Sequence, residues 1–212
     1  IYQKEFLKVN QIWYPGNHTV DSLLKEKRPA DVLFVHGAPI EETKGSFRGW
    51  QEYHTCRNDL TLSEEDMLAN INKAVKYQFR RSEKDNIEIA FYTKEDIEKK
   101  PQLIETFRDI YERMYRSKGS DTKLNVTAIE RYLQADGIIF SAAIHEGEVL
   151  VFHSYICDQE EARLLHSASC FREESADQSM IGRANKRLHW EDIKYFKQKG
   201  LVRYDWGGIS DF

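Results

Sequence analysis

The sequence predicts one mixed α/β domain over residues 1–212, with a largely antiparallel sheet flanked by helices. Three observations carry this expectation. Between Gly137 and Cys170, three apolar stretches are separated by the short polar turns Glu146–Gly147 and Gln159–Glu161, the pattern of an antiparallel meander. Ahead of it lie apolar stripes at helical spacing, and behind it a helix runs into a glycine and then a strand. Hydrophobic content of 41% with 12% aromatic residues marks a globular chain. At this length it buries roughly 70% of its unfolded surface.

In chain order, Tyr2–Tyr14 reads as strand and closes at the turn pair Pro15–Gly16. Thr19–Lys27 reads as a short helix, Val32–Val35 as a buried strand, Gly37–Gly45 as a loop and Ser46–Leu60 as extended chain with Phe47, Trp50 and Tyr53. Residues 1–60 thus form a strand-rich part ahead of a core at 61–212. Ser63 is an N-cap, Glu64, Glu65 and Asp66 suit the positive end of the dipole, and Met67, Ile71, Val75 and Phe79 form one stripe of one helix. Its second half carries Lys73, Lys76, Arg80, Arg81 and Lys84 against the single acid Glu83. Ile87, Ile89 and Phe91 alternate as a strand. A second helix starts at Pro101 and stops at Gly119, and Thr127 caps a short third one. After the meander, a polar loop from Phe171 to Ile181 leads into a helix that begins past Gly182. Gly200 ends that helix after the basic turn Lys197–Lys199. Val202, Tyr204 and Trp206 then alternate into Gly207–Gly208, where bare backbone lets a ligand approach a strand end.

The net charge of −4 gives no overall attraction to nucleic acid or acidic membranes, so a polyanion would need a local basic patch. Apolar runs of only a few residues exclude a transmembrane helix. The first residue is Ile1 rather than Met, which leaves a removed leader open. Cys56, Cys157 and Cys170 are odd in number and widely spaced, suggesting neither a disulfide framework nor a zinc site. His36 and His145 are not at ligand spacing with acids, and no metal is expected. A reducing, cytoplasmic setting is the default.

The order helix, helix, antiparallel meander, loop, helix, strand resembles that of the GNAT acyltransferases. Two blocks tighten the likeness. DLTLSEEDMLANINKAVKYQFRRSEKDNIEI resembles the Fem-type segment in which an acid-capped helix ends in a basic run before a strand. NKRLHWEDIKYFKQKGLVRYDWGGI resembles the block N-x-x-L-x-W-E-x-I-x-x-A-K-x-x-G-x-x-x-Y-D-x-G-G of the same families. The match spans roughly residues 59 to 210. It implies a Fem-like or polysaccharide-type GNAT transferase that moves an acyl group from acetyl-CoA or another acyl-CoA, or an aminoacyl group from tRNA, directly onto an amine. Members often serve cell-envelope building, and an amino sugar or amino acid is the implied acceptor. There are two departures. The family usually continues past the double glycine through a further helix and strand hairpin; here that segment is either missing or supplied otherwise, as by the N-terminal strands. The phosphate loop R/Q-x-x-G-x-G/A is matched by Gln178–Ala184 with one residue too many.

The candidate site follows from these blocks. Gly182, Arg183, Ala184, Asn185 and Lys186, read as a helix N-terminus, suit a pyrophosphate through free N–H groups and cationic side chains. The alternative is that Asn185 merely caps the helix and Arg183 is solvated. His166 can take the amine proton, with Ser167 beside it on the strand that the donor would follow. Tyr155, with His153 on the same strand, is a further catalytic candidate, and Asp205 can orient or deprotonate the amine beside Gly207 and Gly208, the acceptor side. Trp190 and Trp206 read as core. The basic helix end either meets phosphate, as of tRNA, or complements the dipole. A non-catalytic binding module is the rival class, and a homodimer is open.

Overall fold

A computed structural model describes residues 1–25, 30–37, 49, 52–173 and 176–208. The end of the Thr19–Lys27 helix, most of the Gly37–Gly45 loop, Phe47 and Trp50 lie outside the described residues.

The expected mixed architecture is present. A small sheet has the order β1 (Tyr2–Lys4), β2 (Leu7–Ile12), β3 (Val32–Val35), with α1 (Val20–Lys25) between the parallel strands β2 and β3. The larger, six-stranded sheet contains β4 (Thr55–Asp59), β5 (Glu88–Tyr92), β6 (Ile138–His145), β7 (Glu148–Cys157), β8 (Glu161–Ser169) and β9 (Arg203–Gly208), in the order β4-β9-β8-β7-β6-β5. Every neighbouring pair is antiparallel except β8 and β9. The meander needs no help from afar. Glu146 and Gly147 both sit at positive φ (50° and 83°), as a tight two-residue hairpin turn requires.

Helices α2 (Glu64–Ala69), α3 (Lys73–Lys84), α4 (Lys94–Lys99), α5 (Gln102–Ser117), α6 (Val126–Gln134) and α7 (Gln178–Gln198) complete the chain. On one face α5 lays Phe107, Ile110 and Tyr111 onto Phe140 and Phe152. On the other, α7 lays Leu188, Ile193 and Phe196 onto Val151, Tyr155 and Tyr204, and α3 packs beside it. The small sheet docks through polar links: Tyr132 Oη donates to Gln11 Oε1 (2.7 Å), and Tyr14 Oη donates to the carbonyl of Ile156 (3.0 Å).

Several boundaries differ from the sequence reading. The helix expected from Ser63 to Lys84 is two. Asn72 accepts from the Ala74 N–H (2.8 Å) and starts α3 afresh, because an asparagine side chain competes with the helical backbone. Helix α4 was not expected; Thr93 and Asp96 form its capping box. Asn125, not Thr127, caps α6, accepting from Ala128 N–H at 3.0 Å. Helix α7 begins at Gln178 rather than after Gly182, because Asp177 caps it by accepting from Met180 N–H (2.9 Å). Finally, β4 comes from the strand-rich N-terminal part yet lies against the outer edge of β9, with Arg57 opposite Asp205.

Candidate functional site

The parallel pair β8–β9 is short. Only Glu161–Arg203, Ala162–Tyr204 and Arg163–Asp205 are matched, although β8 runs on to Ser169 and β9 to Gly208. The reason lies in both strands. Against β7, β8 shifts register between Leu164 and His166, so Leu165 is an extra residue and the strand bends there. In β9, Gly207 adopts φ +82°, and a Cβ placed on it would lie 2.8 Å from the carbonyl oxygen of Leu164. Its N–H turns back to Asp205 Oδ1 (2.8 Å) instead of continuing a ladder. From Leu164 onward the β9-facing edge of β8 is therefore not paired by β9, and its backbone groups can bind an extended chain.

Asp205 braces this opening. It is fully buried, and its Oδ2 accepts from Arg57 Nε (3.2 Å) and Arg163 (3.0 Å), while Oδ1 accepts from the Thr55 hydroxyl and Gly207 N–H. Two arginines and the Gly207 N–H donate to the carboxylate, and the Thr55 hydroxyl is shared between it and the Gly207 carbonyl, so Asp205 is engaged structurally rather than open to an amine. Gly208 is exposed, but Tyr53 lies against it, with the Arg163 guanidinium 4.7 Å above the Tyr53 ring.

His166 and Ser167 point to opposite faces, as neighbours on a strand must. His166 sits on the α5 side, with Nδ1 2.8 Å from Ser154 Oγ and its ring edge-on to Tyr111 (5.3 Å) and Phe107 (5.8 Å). Burial pushes its pKa down from 6.5 to about 4, so the ring is neutral near pH 7. An unfolded chain takes up this proton between those two values, so stability falls as pH drops from 6.5 towards 4. His36 and His189 contribute with the same sign. The difference between the protein and a His166→Gln variant isolates this ring. In urea unfolding across the window the variant should lose less stability on acidification, and equal slopes would show the ring is not held neutral.

On the α7 side lies a buried polar cluster. Asp192 Oδ2 accepts from Tyr155 Oη (2.5 Å) and lies 2.8 Å from His153 Nδ1; His153 Nε2 meets the Asn185 side chain at 3.0 Å. Tyr155 Oη is 2.9 Å from Tyr204 Oη, which is 2.9 Å from His189 Nδ1. Burial first, then Asp192, drives the Tyr155 pKa far up. Tyr155 is sealed in, so it reaches a ligand only through its neighbours. His153, His189 and Asp192 offer ligand-type atoms within 4.8 Å of one another; the two Nδ1 atoms and Asp192 Oδ2 are engaged in these hydrogen bonds, while Asp192 Oδ1 is buried without a partner among the described residues. His189 and Asp192 escaped the sequence reading. The available signal was polar residues at Asn185, His189 and Asp192, the i, i+4, i+7 spacing of a buried helix face.

The five residues expected at a helix N-terminus lie inside α7 instead. Ala184 is core, Asn185 holds His153, and Arg183 Nε donates to Asp85 (2.6 Å). Gly182 and Lys186 do face open space, a cleft of about 360 Å³ between α3 and α7 that Arg81, Gln178 and Ser179 also line. Arg81 and Lys186 make no ion pair among the described residues. The structure thus brings the basic end of α3 to the start of α7, which sequence spacing alone did not.

A largely antiparallel sheet with one short parallel pair joined through a long helix is the GNAT-like fold, and this chain has it. Among solved structures it is similar to FemX (TM-score 0.58, 10% identity, covering 74% of this chain and 53% of that one). It is also similar to the C-terminal domain (DUF2156) of a protein from Agrobacterium fabrum described as a lysylphosphatidylglycerol synthetase (TM-score 0.55, 9% identity, 76% and 48% covered). The chain spans about half the length of each, and the likeness is one of fold. No family profile and no curated protein matches the sequence.

Proposed function

We propose that the chain is an N-acyltransferase that passes an acyl group from an acyl-CoA directly to an amine. The observation behind this reading is the β8 edge that opens at Leu164 beside Gly207. The pantetheine arm of coenzyme A carries amides that can pair with such an edge as an added strand. Its phosphates would fall at the start of α7, where Arg81 and Lys186 supply cations that make no ion pair among the described residues. The amine, an amino sugar or amino acid, would enter past Gly207 and Gly208 and attack the thioester where the strands part. Ser167 lies on the edge that the donor follows. No helix among the described residues is long and apolar enough to cross a membrane.

An aminoacyl-tRNA donor is the second reading. It is favoured by Lys73 and Arg80, exposed on the helix α3 that also supplies Arg81 to the cleft, and by the likeness of fold to FemX. Thermal shift with coenzyme A, acetyl-CoA and an aminoacyl-tRNA mimic separates the two. Stabilisation by coenzyme A supports the first, a response to the RNA mimic alone supports the second, and silence to all three favours a binding module. If coenzyme A binds, Lys186→Glu should weaken it about tenfold or more, the worth of one charge-assisted contact. Unchanged affinity by calorimetry would move the phosphates elsewhere.

A further inference from the structure

We infer that Asp192, Tyr155, Tyr204 and His189 form a one-way hydrogen-bond chain that fixes the proton of His189 on Nδ1 and offers the Nε2 lone pair to an amine. The direction follows from counting protons. A carboxylate only accepts, so Tyr155 spends its single hydroxyl proton on Asp192 Oδ2 (2.5 Å). Tyr155 Oη can then only accept from Tyr204, 2.9 Å away. Tyr204 has no proton left for His189, so His189 Nδ1 must donate to it across 2.9 Å. Each link forces the next, and the hydrogen bonds polarise one another along the chain.

The other ring nitrogen is free. His189 Nε2 has no hydrogen-bond partner among the described residues, and the residue is only partly buried. The half-buried ring lies 4.7 Å from Trp206, the first residue of β9 past its last pair with β8, and 4.3 Å from His153. It therefore lies beside Trp206, on the α7 side of the point where β9 leaves β8. Burial, then His153, pushes its pKa well below the usual value, so the lone pair is unprotonated at neutral pH.

The chemistry that fits is a primary ammonium. Its N–H bond breaks, an Nε2–H bond forms, and the amine nitrogen keeps the electron pair it needs to attack a carbonyl. Taking this amine as the acceptor of acyl transfer rests on the function proposed above; the chain and its lone pair do not.

The test is long-range ¹H–¹⁵N NMR on the labelled protein, with His189 assigned by His189→Gln. The expected spectrum has a protonated Nδ1 and an unprotonated Nε2, and Tyr204→Phe should shift the ring towards the Nε2–H form. Should Tyr204→Phe not fold, Tyr155→Phe interrupts the same chain one link further on. A wild-type ring protonated on Nε2, or a tautomer that ignores both variants, overturns the chain. Ethylammonium should move the Nε2 resonance while tetramethylammonium, charged but lacking N–H, should not. No response, or equal responses, overturns the amine site. The expected NMR results without transfer from acetyl-CoA would keep this site and sink the donor assignment. Where transfer is measurable, His189→Gln should lower kcat by about a hundredfold or more and leave donor KM in place.

Discussion

Truncating Asp205 to alanine is expected to destabilise the protein by about 3 kcal/mol, the cost of removing one partner from a buried charge cluster. The carboxylate is 0% exposed and Arg163 only 13%, so the arginine would be left with an uncompensated charge next to Glu161, which already binds Arg57 and Arg203. The Gly207 N–H would lose its acceptor at the same time, while the Thr55 hydroxyl keeps the Gly207 carbonyl. Asp205→Asn should fall between the two, since it keeps the shape and loses the charge. Urea unfolding measures both. A loss under about 1 kcal/mol for Asp205→Ala would mean the cluster is screened by solvent, as surface pairs are, and would reopen a chemical role for the residue.

Phe107→Ala should cost about 4 kcal/mol, as for other large-to-small changes at fully buried aromatic sites. Phe107 is 0% exposed, with ring centroids 5.0 Å from Phe152 and 5.6 Å from Phe140, so neither α5 nor the sheet can close the space it leaves. The same ring is one wall of the dry site around His166. Opening it should raise the pKa of that histidine from about 4 back towards 6.5, which an NMR titration reads separately from stability. A stability loss with no change at His166 would show that other residues, Tyr111 first, keep the ring dry.

The parts of the fold that local chemistry dictates were legible. The meander strands follow the expected stretches to within a residue or so, and Gly200 takes the left-handed φ (87°) of a helix stop. Asp205 does point away from Tyr204 and Trp206, as alternation required, but its partners Arg163 and Arg57 stand 42 and 148 residues away. No periodicity reports such distances. For the same reason β4 could not be assigned to the large sheet. The start of α7 was misplaced because Gly182 looked like a breaker, whereas a helix tolerates one interior glycine once Asp177 has capped it. His189 and Asp192 went unnoticed because a polar stripe on an inner helix face reads as a solvated one until the helix is docked.

The pairing of β4 with β9 carries a consequence for the order of assembly. Thr55 and Gly207 are 152 residues apart in the chain, and the opening between β8 and β9 takes its shape only when they meet. On a ribosome the meander and its hairpins can form as they emerge, whereas the β9 side must wait for the last residues described here. Contacts closing so long a loop slow folding. The opening between β8 and β9 would thus take shape after the meander, and a nascent chain would hold the meander before that opening exists.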